Sequence, residues 1–497
     1  MPAGMTSKLN ILQQSPHDLE PSGPTAQDFA TEDPQAVRWV PSRYNIRAAT
    51  DDGRLVVWNS YTRAMSVFGA GQRTTIEGLL SRKGFSARSK GMVKYLGDRG
   101  YLLKEGTDEF RRIQLAFGQQ QYRTDVLQFT LLASEDCNFR CQYCYEEFAR
   151  GTMQPQVRTG IKKLVEKRLD GLRHLSVSWF GGEPLYGFKA IEDLAPFFLQ
   201  TAEEHSLRFS SGMTTNGYLL TPDIADKLLA WQIDRFQITI DGTPENHDRS
   251  RPTRDGQGSF ATIFENLKAM HRRPRSEDFE IDIRVNWDLR NYPHLGGFLD
   301  TIQGEFGGDP RFKVRFHSVF PTGGPQDEQL AICGQDEAVQ LQKELEREAR
   351  RKGLSLAEDI RQVKPVGSGV CYAARPYHFV IGASGKVMKC TIELDMSDRN
   401  VVGHLSEDGD LELDTDKMAL WCEPAFEKDT KCQKCVVLPV CMGSSCPLIR
   451  FERHTSPCIP LRQSAKGELR SVVELEAVPR QETGDGKDRQ PTAQWAP

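Results

Sequence analysis

The sequence predicts an α/β protein whose centre is a partial (β/α)6 barrel, with an N-terminal α+β module and a C-terminal cysteine-rich domain. Between residues 126 and 320, apolar runs of strand length alternate with helix-length segments six times. Such alternation is typical of a parallel sheet with right-handed crossovers, and six units are too few to close an eight-stranded barrel. Eight of the twelve cysteines lie between residues 371 and 458, which predicts a further domain there.

The N-terminal module covers residues 36–120. Strand-like runs flank Asp51, Asp52 and Gly53, a turn sequence that favours a hairpin. The predicted elements are two strands, two helices and a strand, at 44–48, 54–58, 74–82, 87–99 and 100–103. This order resembles a small winged-helix domain that binds leader peptides in enzymes modifying ribosomally made peptides. A structural extension is the alternative.

The barrel covers residues 121–330. Its predicted strands are Leu127–Ala133, Leu175–Phe180, Arg208–Met213, Arg235–Ile240, Ile281–Val285 and Lys313–His317. In such folds ligands bind at the C-terminal ends of the strands. Residues 331–365 form a helical bridge rich in Glu, Lys and Arg, which we assign to a solvated surface.

Three cysteines follow the first barrel strand, Cys137, Cys141 and Cys144, with the spacing C-x3-C-x2-C. Three thiolates on one loop hold a cubane iron–sulfur cluster by three of its four irons, and the fourth is left for a small molecule. Structural zinc sites use paired C-x2-C units, and no Cys or His follows closely enough to complete such a site. The run resembles the signature of radical S-adenosylmethionine (SAM) enzymes, in which the open iron binds SAM and one electron cleaves it to a 5′-deoxyadenosyl radical.

The resemblance extends to residues at the strand ends. Gly181, Gly182 and Glu183 match the Gly-Gly-Glu-Pro motif that supports the amino group of SAM. Glycines at a strand end also allow a ligand to approach the backbone. The remaining residues that the analogy implies as SAM contacts are Tyr143, which corresponds to an aromatic against adenine, and Thr215, Asn216, Arg284 and Asn286. By the same analogy Asp241 and His247 line the substrate side. Taken singly, the strand-end residues fit turn or capping roles equally well.

The C-terminal domain, residues 366–470, carries a second cysteine pattern. Its cysteines are Cys371, Cys390, Cys432, Cys435, Cys441, Cys446 and Cys458. They resemble the seven-cysteine SPASM extension of radical SAM enzymes, except that four residues, not three, separate Cys441 from Cys446. The resemblance implies one auxiliary cluster on Cys432, Cys435, Cys441 and Cys458. It implies another on Cys371, Cys390 and Cys446, for which Cys422 is a candidate fourth ligand. A zinc ribbon on Cys432, Cys435, Cys441 and Cys446 is the alternative.

Composition limits the other classes of function. The 497 residues carry a net charge of −4, so nothing in the overall charge indicates a nucleic-acid partner. No apolar run approaches the roughly 20 residues of a membrane span, and the N-terminus lacks a secretion signal. We therefore expect a cytoplasmic protein that uses its cysteines for metal rather than disulfides. The polar segments 1–35 and 480–497 are expected to be disordered.

Together these features predict a radical SAM/SPASM maturase that oxidatively modifies a ribosomal peptide, by a crosslink, a thioether or a dehydrogenation. The implied cofactors are SAM, one SAM-binding [4Fe-4S] cluster and up to two auxiliary clusters. The implied partners are a precursor peptide or protein and a flavodoxin- or ferredoxin-type electron donor. Two alternatives are a sulfatase-maturating enzyme, which forms formylglycine, and a small-molecule SPASM dehydrogenase. In the sulfatase-maturating subfamily an Asp that serves as a base follows the second SPASM cysteine, and here Thr391 stands at that position, which counts against the first alternative. A non-catalytic electron carrier leaves the Gly-Gly-Glu motif unexplained.

Overall fold

The computed structural model describes residues 35–148, 150–321, 327–357, 370–394, 397–443, 446–453, 458–459 and 461–476. The chain divides into two compact units. Unit 1 consists of residues up to 112 together with 464–483, and unit 2 begins at residue 113 and includes everything up to residue 463. The predicted disorder of 1–35 and 480–497 falls outside the described residues, apart from residue 35.

Unit 1 contains two three-stranded antiparallel sheets, with strand orders β2-β3-β4 and β5-β1-β6. Its strands are β1 (Val37–Pro41), β2 (Asn45–Ala49), β3 (Leu55–Asn59), β4 (Met65–Phe68), β5 (Phe85–Ala87) and β6 (Leu102–Lys104). Its helices are α1 (Ala70–Leu79) and α2 (Gly91–Asp98), and α3 (Glu109–Gln121) begins in it. The predicted hairpin is β2–β3. Every residue of β3 is buried, because this central strand packs on both faces.

Unit 2 is built on a ten-stranded sheet of order β12-β11-β10-β9-β8-β7-β13-β14-β15-β16. The six barrel strands are β7 (Val126–Ser134), β8 (His174–Gly181), β9 (Arg208–Thr215), β10 (Ile233–Thr239), β11 (Glu280–Trp287) and β12 (Phe312–Ser318). They pair in parallel and in chain order, and each end lies within two residues of its predicted position. Strand β12 pairs with β11 alone among the described strands, so the sheet is open.

The other four strands extend this sheet beyond β7. They are β13 (His378–Ile381), β14 (Lys386–Met388), β15 (Val401–Leu405) and β16 (Leu411–Leu413). Strand β13 pairs in parallel with β7, and the last three follow antiparallel. The first part of the cysteine-rich region is therefore a continuation of the barrel sheet and not a compact unit of its own.

Helices cover the sheet between successive strands. In unit 2 they are α4 (Pro155–Lys167), α5 (Phe188–Glu204), α6 (Pro222–Ala230), α7 (Pro244–Ser250), α8 (Phe260–His271), α9 (Leu295–Phe306) and α10 (Gln335–Arg351). Shorter helices follow: α11 (Thr415–Cys422), α12 (Ala425–Lys428), α13 (Thr430–Gln433), α14 (Leu438–Cys441) and α15 (Pro447–Arg453), before α16 (Leu461–Glu476). Proline occupies the first turn of α4, α6 and α7, where its missing N–H costs nothing.

The core of unit 2 lies between the sheet and these helices. Trp179 on β8 and Phe198 on α5 are fully buried and their rings lie 6.3 Å apart. The barrel strands are apolar along much of their length because a parallel sheet covered by helices has little contact with water. In the described part of the chain, no helix combines the length and apolar character of a membrane span. The carboxyl ends of β7 to β11 meet at one edge of the sheet, where the candidate site lies.

Candidate metal and cofactor site

The loop after β7 carries Cys137, Cys141 and Cys144. Cys137 is buried, and its sulfur accepts the backbone N–H of Phe139 at 3.3 Å. The N–H of Cys144 donates to the carbonyl of Cys141 at 3.1 Å, closing a turn. Burial raises the pKa of Cys137 to about 12, with further contributions from Glu183 and the Cys141 thiol. The loop therefore brings the thiols into mutual electrostatic range, where bound metal would favour their deprotonation.

The segment from Ser250 to Arg254 pairs with this cluster loop, which we define as residues 135–148. The N–H groups of Arg140 and Gln142 donate to the carbonyls of Pro252 and Ser250, both at 2.9 Å. The N–H of Arg254 donates in return to the carbonyl of Asn138 at 2.7 Å. The pairing is antiparallel, and an isolated bridge joins 139 to 253. The 250–254 segment therefore helps to fix the position of the cluster loop, in addition to the loop's own turn.

The two glycines after β8 lie against the same loop. A Cβ on Gly181, whose φ is +117°, would lie 2.0 Å from the carbonyl oxygen of Ser134. A Cβ on Gly182 would lie 2.8 Å from the carbonyl oxygen of Asp136 and 3.1 Å from the Cβ of Cys137. The space that a side chain would need is therefore occupied by the end of β7 at Gly181 and by the backbone of the cluster loop at Gly182.

Glu183 joins the ends of two strands. It is fully buried, and its Oε1 accepts from the Thr215 hydroxyl at 2.7 Å and from the N–H of Leu185 at 3.0 Å. Its Oε2 accepts from the N–H of Asn216 at 2.7 Å. Burial raises the pKa of this carboxyl, and the three hydrogen bonds oppose that shift. The Asn216 amide in turn donates to Asn138 Oδ1 at 2.8 Å, so the Gly-Gly-Glu segment, the end of β9 and the cluster loop are hydrogen-bonded together.

A second group of predicted contacts meets at the ends of β10 and β11. The Tyr143 hydroxyl donates to Asp241 Oδ2 at 2.7 Å and accepts from Arg251 Nη1 at 2.6 Å and Asn286 Nδ2 at 2.9 Å. Arg284 Nε donates to Asn286 Oδ1 at 2.8 Å. Burial raises the pKa of Asp241, and the Arg251 guanidinium opposes that shift. Tyr143, Arg284 and Asn286 thus lie together beside the cluster loop.

A polar pocket opens beside this group. Tyr143, Asp241 and Asn286 line it. The other lining residues come from the cluster loop, α7 and the segments after β11 and β12: Gln142, Asn246, Arg249, Ser250, Asp288, Arg290, Asn291, Val319 and Leu330. Arg249, Asp288 and Arg290 were not predicted as site residues. Their positions offered a signal, because Asp288 and Arg290 follow β11 closely and Arg249 lies on α7, the helix after β10.

His247 has a different place from the one predicted. It is fully buried, its Nδ1 accepts the N–H of Asp241 at 3.2 Å, and Nε2 lies 3.0 Å from the Ser259 hydroxyl. Because Nδ1 accepts, Nε2 carries the proton and donates to Ser259, whose hydroxyl donates onward to the carbonyl of Arg251 at 2.7 Å. With both nitrogens engaged, His247 holds Asp241 and the 250–254 segment in place and does not line a substrate surface.

His247 should make stability depend on pH. Burial lowers the pKa of His247 well below its ordinary value, so the folded chain keeps it neutral. Below pH about 6.5 the unfolded chain binds a proton that the folded chain does not, so the free energy of unfolding falls by about 1.4 kcal/mol per pH unit. Urea unfolding between pH 5 and 7.5 should show this slope reduced in His247→Gln. The same change at the exposed His205 should leave the slope unaltered, and equal slopes in all three proteins would contradict the assignment.

In the C-terminal region, Cys371, Cys390 and Cys446 form one group. Burial raises the pKa of Cys371 to about 12, and the thiols of Cys446 and Cys390 add to the shift. Burial also raises the pKa of Cys390 to about 11, and Cys446 adds to it. Burial raises the pKa of Cys422, and the positive charges of Lys389 and Arg450 oppose that shift. The backbone carbonyl of Cys422 accepts from the Gln121 amide at 2.6 Å.

A second group gathers around Arg462. Its Nη1 donates to Cys458 Sγ at 2.8 Å, and the thiols of Cys435 and Cys432 also favour its charged form. The N–H of Cys435 donates to the carbonyl of Cys432 at 3.0 Å, which closes the C-x2-C turn. Cys441 ends α14, five residues before Cys446. The described contacts thus relate Cys371, Cys390 and Cys446 to one another, and Cys432, Cys435 and Cys458 to Arg462.

The residues fit iron–sulfur clusters by the chemistry of their donors. The three cysteines of the cluster loop, Cys137, Cys141 and Cys144, carry free thiols. Within the described ranges, no three His, Cys, Asp or Glu side chains converge as they would around a single ion, whereas a cubane binds each thiolate through a different iron. The buried Nε of Arg251 has no hydrogen-bond partner among the described residues, and a cluster beside it would supply anionic sulfur.

The middle of the chain is similar to known proteins. Residues 131–279 match the model of the Radical SAM superfamily. The radical SAM cyclopropyl synthase TigE of Paramaledivibacter caminithermalis is 25% identical over 204 residues, which are 36% of this chain and 41% of TigE. The serine-type anaerobic sulfatase-maturating enzyme of Klebsiella aerogenes is 23% identical over 178 residues, 33% of this chain and 41% of that enzyme. The chain spans about half the length of the curated relatives that it matches, with shares of 41% to 57% for three of them.

The fold is also found among solved structures. The structure of anSMEcpe with bound AdoMet superposes with a TM-score of 0.54 at 19% identity, covering 71% of this chain and 95% of that one. The structure of anSMEcpe with AdoMet and the Cp18Cys peptide gives 0.53 at 18% identity, covering 71% and 98%. The chain therefore shares with these structures an α/β fold with a large, mostly parallel sheet, and residues 131–279 are similar to the Radical SAM superfamily.

Proposed function

We propose that this chain is a radical SAM maturase that binds a [4Fe-4S] cluster through Cys137, Cys141 and Cys144 and modifies a ribosomal peptide. The observation that carries the proposal is the cluster loop itself. Three thiols lie at the carboxyl end of the first barrel strand, and the predicted SAM contacts of the strands after it are hydrogen-bonded around that loop. When bound, the cluster and SAM supply a 5′-deoxyadenosyl radical that takes a hydrogen atom from the substrate.

The chain's own residues would position the cofactor. Glu183 and Asn216 fix the loop that carries Cys137. Tyr143 is held by its hydroxyl, which leaves its ring to pack on a flat group such as adenine. Asn286 and Arg284, at the end of β11, offer amide and guanidinium donors.

The auxiliary clusters belong to the same proposal. We assign one to Cys371, Cys390 and Cys446 and one to Cys432, Cys435, Cys441 and Cys458, in a SPASM-like region. Such clusters would accept the electron left on an oxidised product. Thr391 is buried, and its hydroxyl lies 2.7 Å from that of Tyr372. A hydroxyl pair at this position does not replace the basic Asp of sulfatase maturases, which favours peptide crosslinking or dehydrogenation over formylglycine formation.

The charge of residues 36–112, which form most of the described part of unit 1, supports an acidic peptide as the partner of this module. Residues 36–112 contain 15 Lys and Arg against 7 Asp and Glu, a net charge of +8 in a chain whose total is −4. A cationic module attracts an acidic segment and speeds its encounter with the protein. We therefore propose that unit 1, as a winged-helix-like module, recognises an acidic stretch of the precursor peptide.

Binding of labelled peptides to the full-length protein tests this partner. Oligo-glutamate should bind, and its affinity should fall as salt is raised, while oligo-lysine should not bind. Changing Lys83 and Lys90, both exposed in unit 1, to Glu should weaken binding several-fold. The same change at Lys189 and Lys343 of unit 2 is the matched control. Equal weakening in both pairs, or equally tight binding of a DNA oligomer, would count against a peptide-specific module.

Anaerobic incubation with SAM and dithionite tests the chemistry. We expect 5′-deoxyadenosine to form even without peptide, at a rate that increases when the cognate peptide is added. No 5′-deoxyadenosine from protein with a full complement of iron would refute the radical SAM assignment. Formylglycine in an added sulfatase peptide would instead favour the sulfatase-maturating alternative.

A further inference from the structure

Arg251 lies directly opposite Cys141. The hydrogen bonds between the cluster loop and the 250–254 segment join Gln142 to Ser250 and Arg140 to Pro252. In an antiparallel pair these bonds fix the register, so the residue between 140 and 142 faces the residue between 250 and 252. The second cysteine of the triad and this arginine are therefore cross-strand neighbours, although 109 residues separate them in the chain.

The arginine is held on several sides. Its N–H donates to the carbonyl of His247 and its carbonyl accepts the Ser259 hydroxyl, at 2.8 and 2.7 Å. Its Nη1 donates to the Tyr143 hydroxyl, and its guanidinium lies 5.7 Å from the centre of the Phe139 ring. Only 7% of the residue is exposed. Its position is thus fixed before any cofactor is bound.

The charge of Arg251 lacks a direct anionic partner among the described residues. Asp241 is reached through the Tyr143 hydroxyl, whose hydrogen bond that carboxylate accepts. The Nε of Arg251 is buried with no acceptor in the described part of the chain. A buried cation is costly unless an anion compensates it. Cys141 faces Arg251 across the antiparallel pairing, so a cluster thiolate at Cys141 is the anion nearest to this charge.

We propose that Arg251 is an electrostatic positioning residue for the SAM-binding cluster, stabilising the electron that the cluster receives and so raising its reduction potential. The inference rests on the proposed function, because it presupposes a cluster on Cys137, Cys141 and Cys144. One electron passes from a flavodoxin-type donor, or from dithionite in vitro, and no bond forms or breaks in that step. Added negative charge beside a buried, permanently charged guanidinium is favourable in a medium of low polarity.

The test compares Arg251→Met with Arg251→Lys in the anaerobically reconstituted full-length protein. Iron content is measured first, and the midpoint potential is then obtained by redox titration of the EPR signal that changes when SAM is added. We expect a more negative potential in Arg251→Met and one near wild type in Arg251→Lys. Arg254→Met is the control, because Arg254 belongs to the same segment but is 44% exposed and pairs with Asp136; its potential should equal that of wild type.

Each result decides the matter. A wild-type potential in Arg251→Met with full iron would overturn the proposal. Loss of iron in Arg251→Met but not in Arg251→Lys would support a role of the charge, and equal loss in both would show that only the shape of the side chain matters. If the wild-type protein itself has no EPR signal that responds to SAM, the proposed function fails, and that failure is distinct from one at Arg251.

Discussion

Replacing Cys137 by Ala should reduce SAM cleavage to background. A cubane held by three thiolates loses a third of its protein ligands when the Cys137 thiol is removed. The expected measurement is the yield of 5′-deoxyadenosine per chain after anaerobic reconstitution. Because the other cysteine groups lie around β13–β15 and Arg462, iron bound there should be retained.

Cys333 provides the matched control. It is half-buried and lies outside both cysteine fields, so Cys333→Ala removes one thiol from the chain without touching a cluster. We expect iron content and SAM cleavage near wild type for this variant. Substantial 5′-deoxyadenosine from Cys137→Ala would mean that the triad is not the radical-generating site.

Gly181→Ala should have the second largest effect. Its Cβ would lie 2.0 Å from the Ser134 carbonyl oxygen, and the φ of +117° is one that side-chain-bearing residues rarely adopt. Backbone strain and overpacking each cost about 1–3 kcal/mol. Because Ser134 is the last residue of β7, the collision displaces the start of the cluster loop. We expect the SAM-responsive EPR signal to disappear, with a lower unfolding midpoint.

Gly171→Ala separates the two causes. Gly171 also has a positive φ, +76°, but nothing lies within 4 Å of a Cβ built there. The free energy of unfolding of that variant should fall by about 1–2 kcal/mol, because only the backbone conformation is unfavourable, and the cluster should be retained. If Gly171→Ala lost the cluster as completely as Gly181→Ala, strain in the turn and not contact with the loop would be the explanation.

Much of the barrel could be predicted because buried parallel strands are apolar along their length. The six strands from Val126 to Ser318 were found within two residues at each end. In unit 1, by contrast, β1, β4 and β5 were missed. They have three to five residues each, too few for an alternating pattern to emerge from the surrounding sequence.

The site was predicted as a set of residues more successfully than as a set of contacts. Spacing selected the cysteine triad, a family motif selected the Gly-Gly-Glu segment, and the structure brings Gly182 against Cys137. The pairing of Arg251 with Cys141 depends on a long-range register that no local pattern encodes. His247 was assigned to the substrate side by analogy with the resembled family. Its burial follows from packing against α8, which a single sequence does not reveal.

The order of the large sheet has a mechanical consequence. Strand β7 carries the cluster loop at its end and is hydrogen-bonded on both sides, to β8 and to β13. By pairing with β7, strand β13 of the C-terminal region prevents β7 from being an unpaired edge strand of the barrel. A chain that ended before β13 would leave the backbone of β7 open to pairing with other molecules. The strand that carries the cluster loop is in this way protected from fraying by the region that contains the other cysteines.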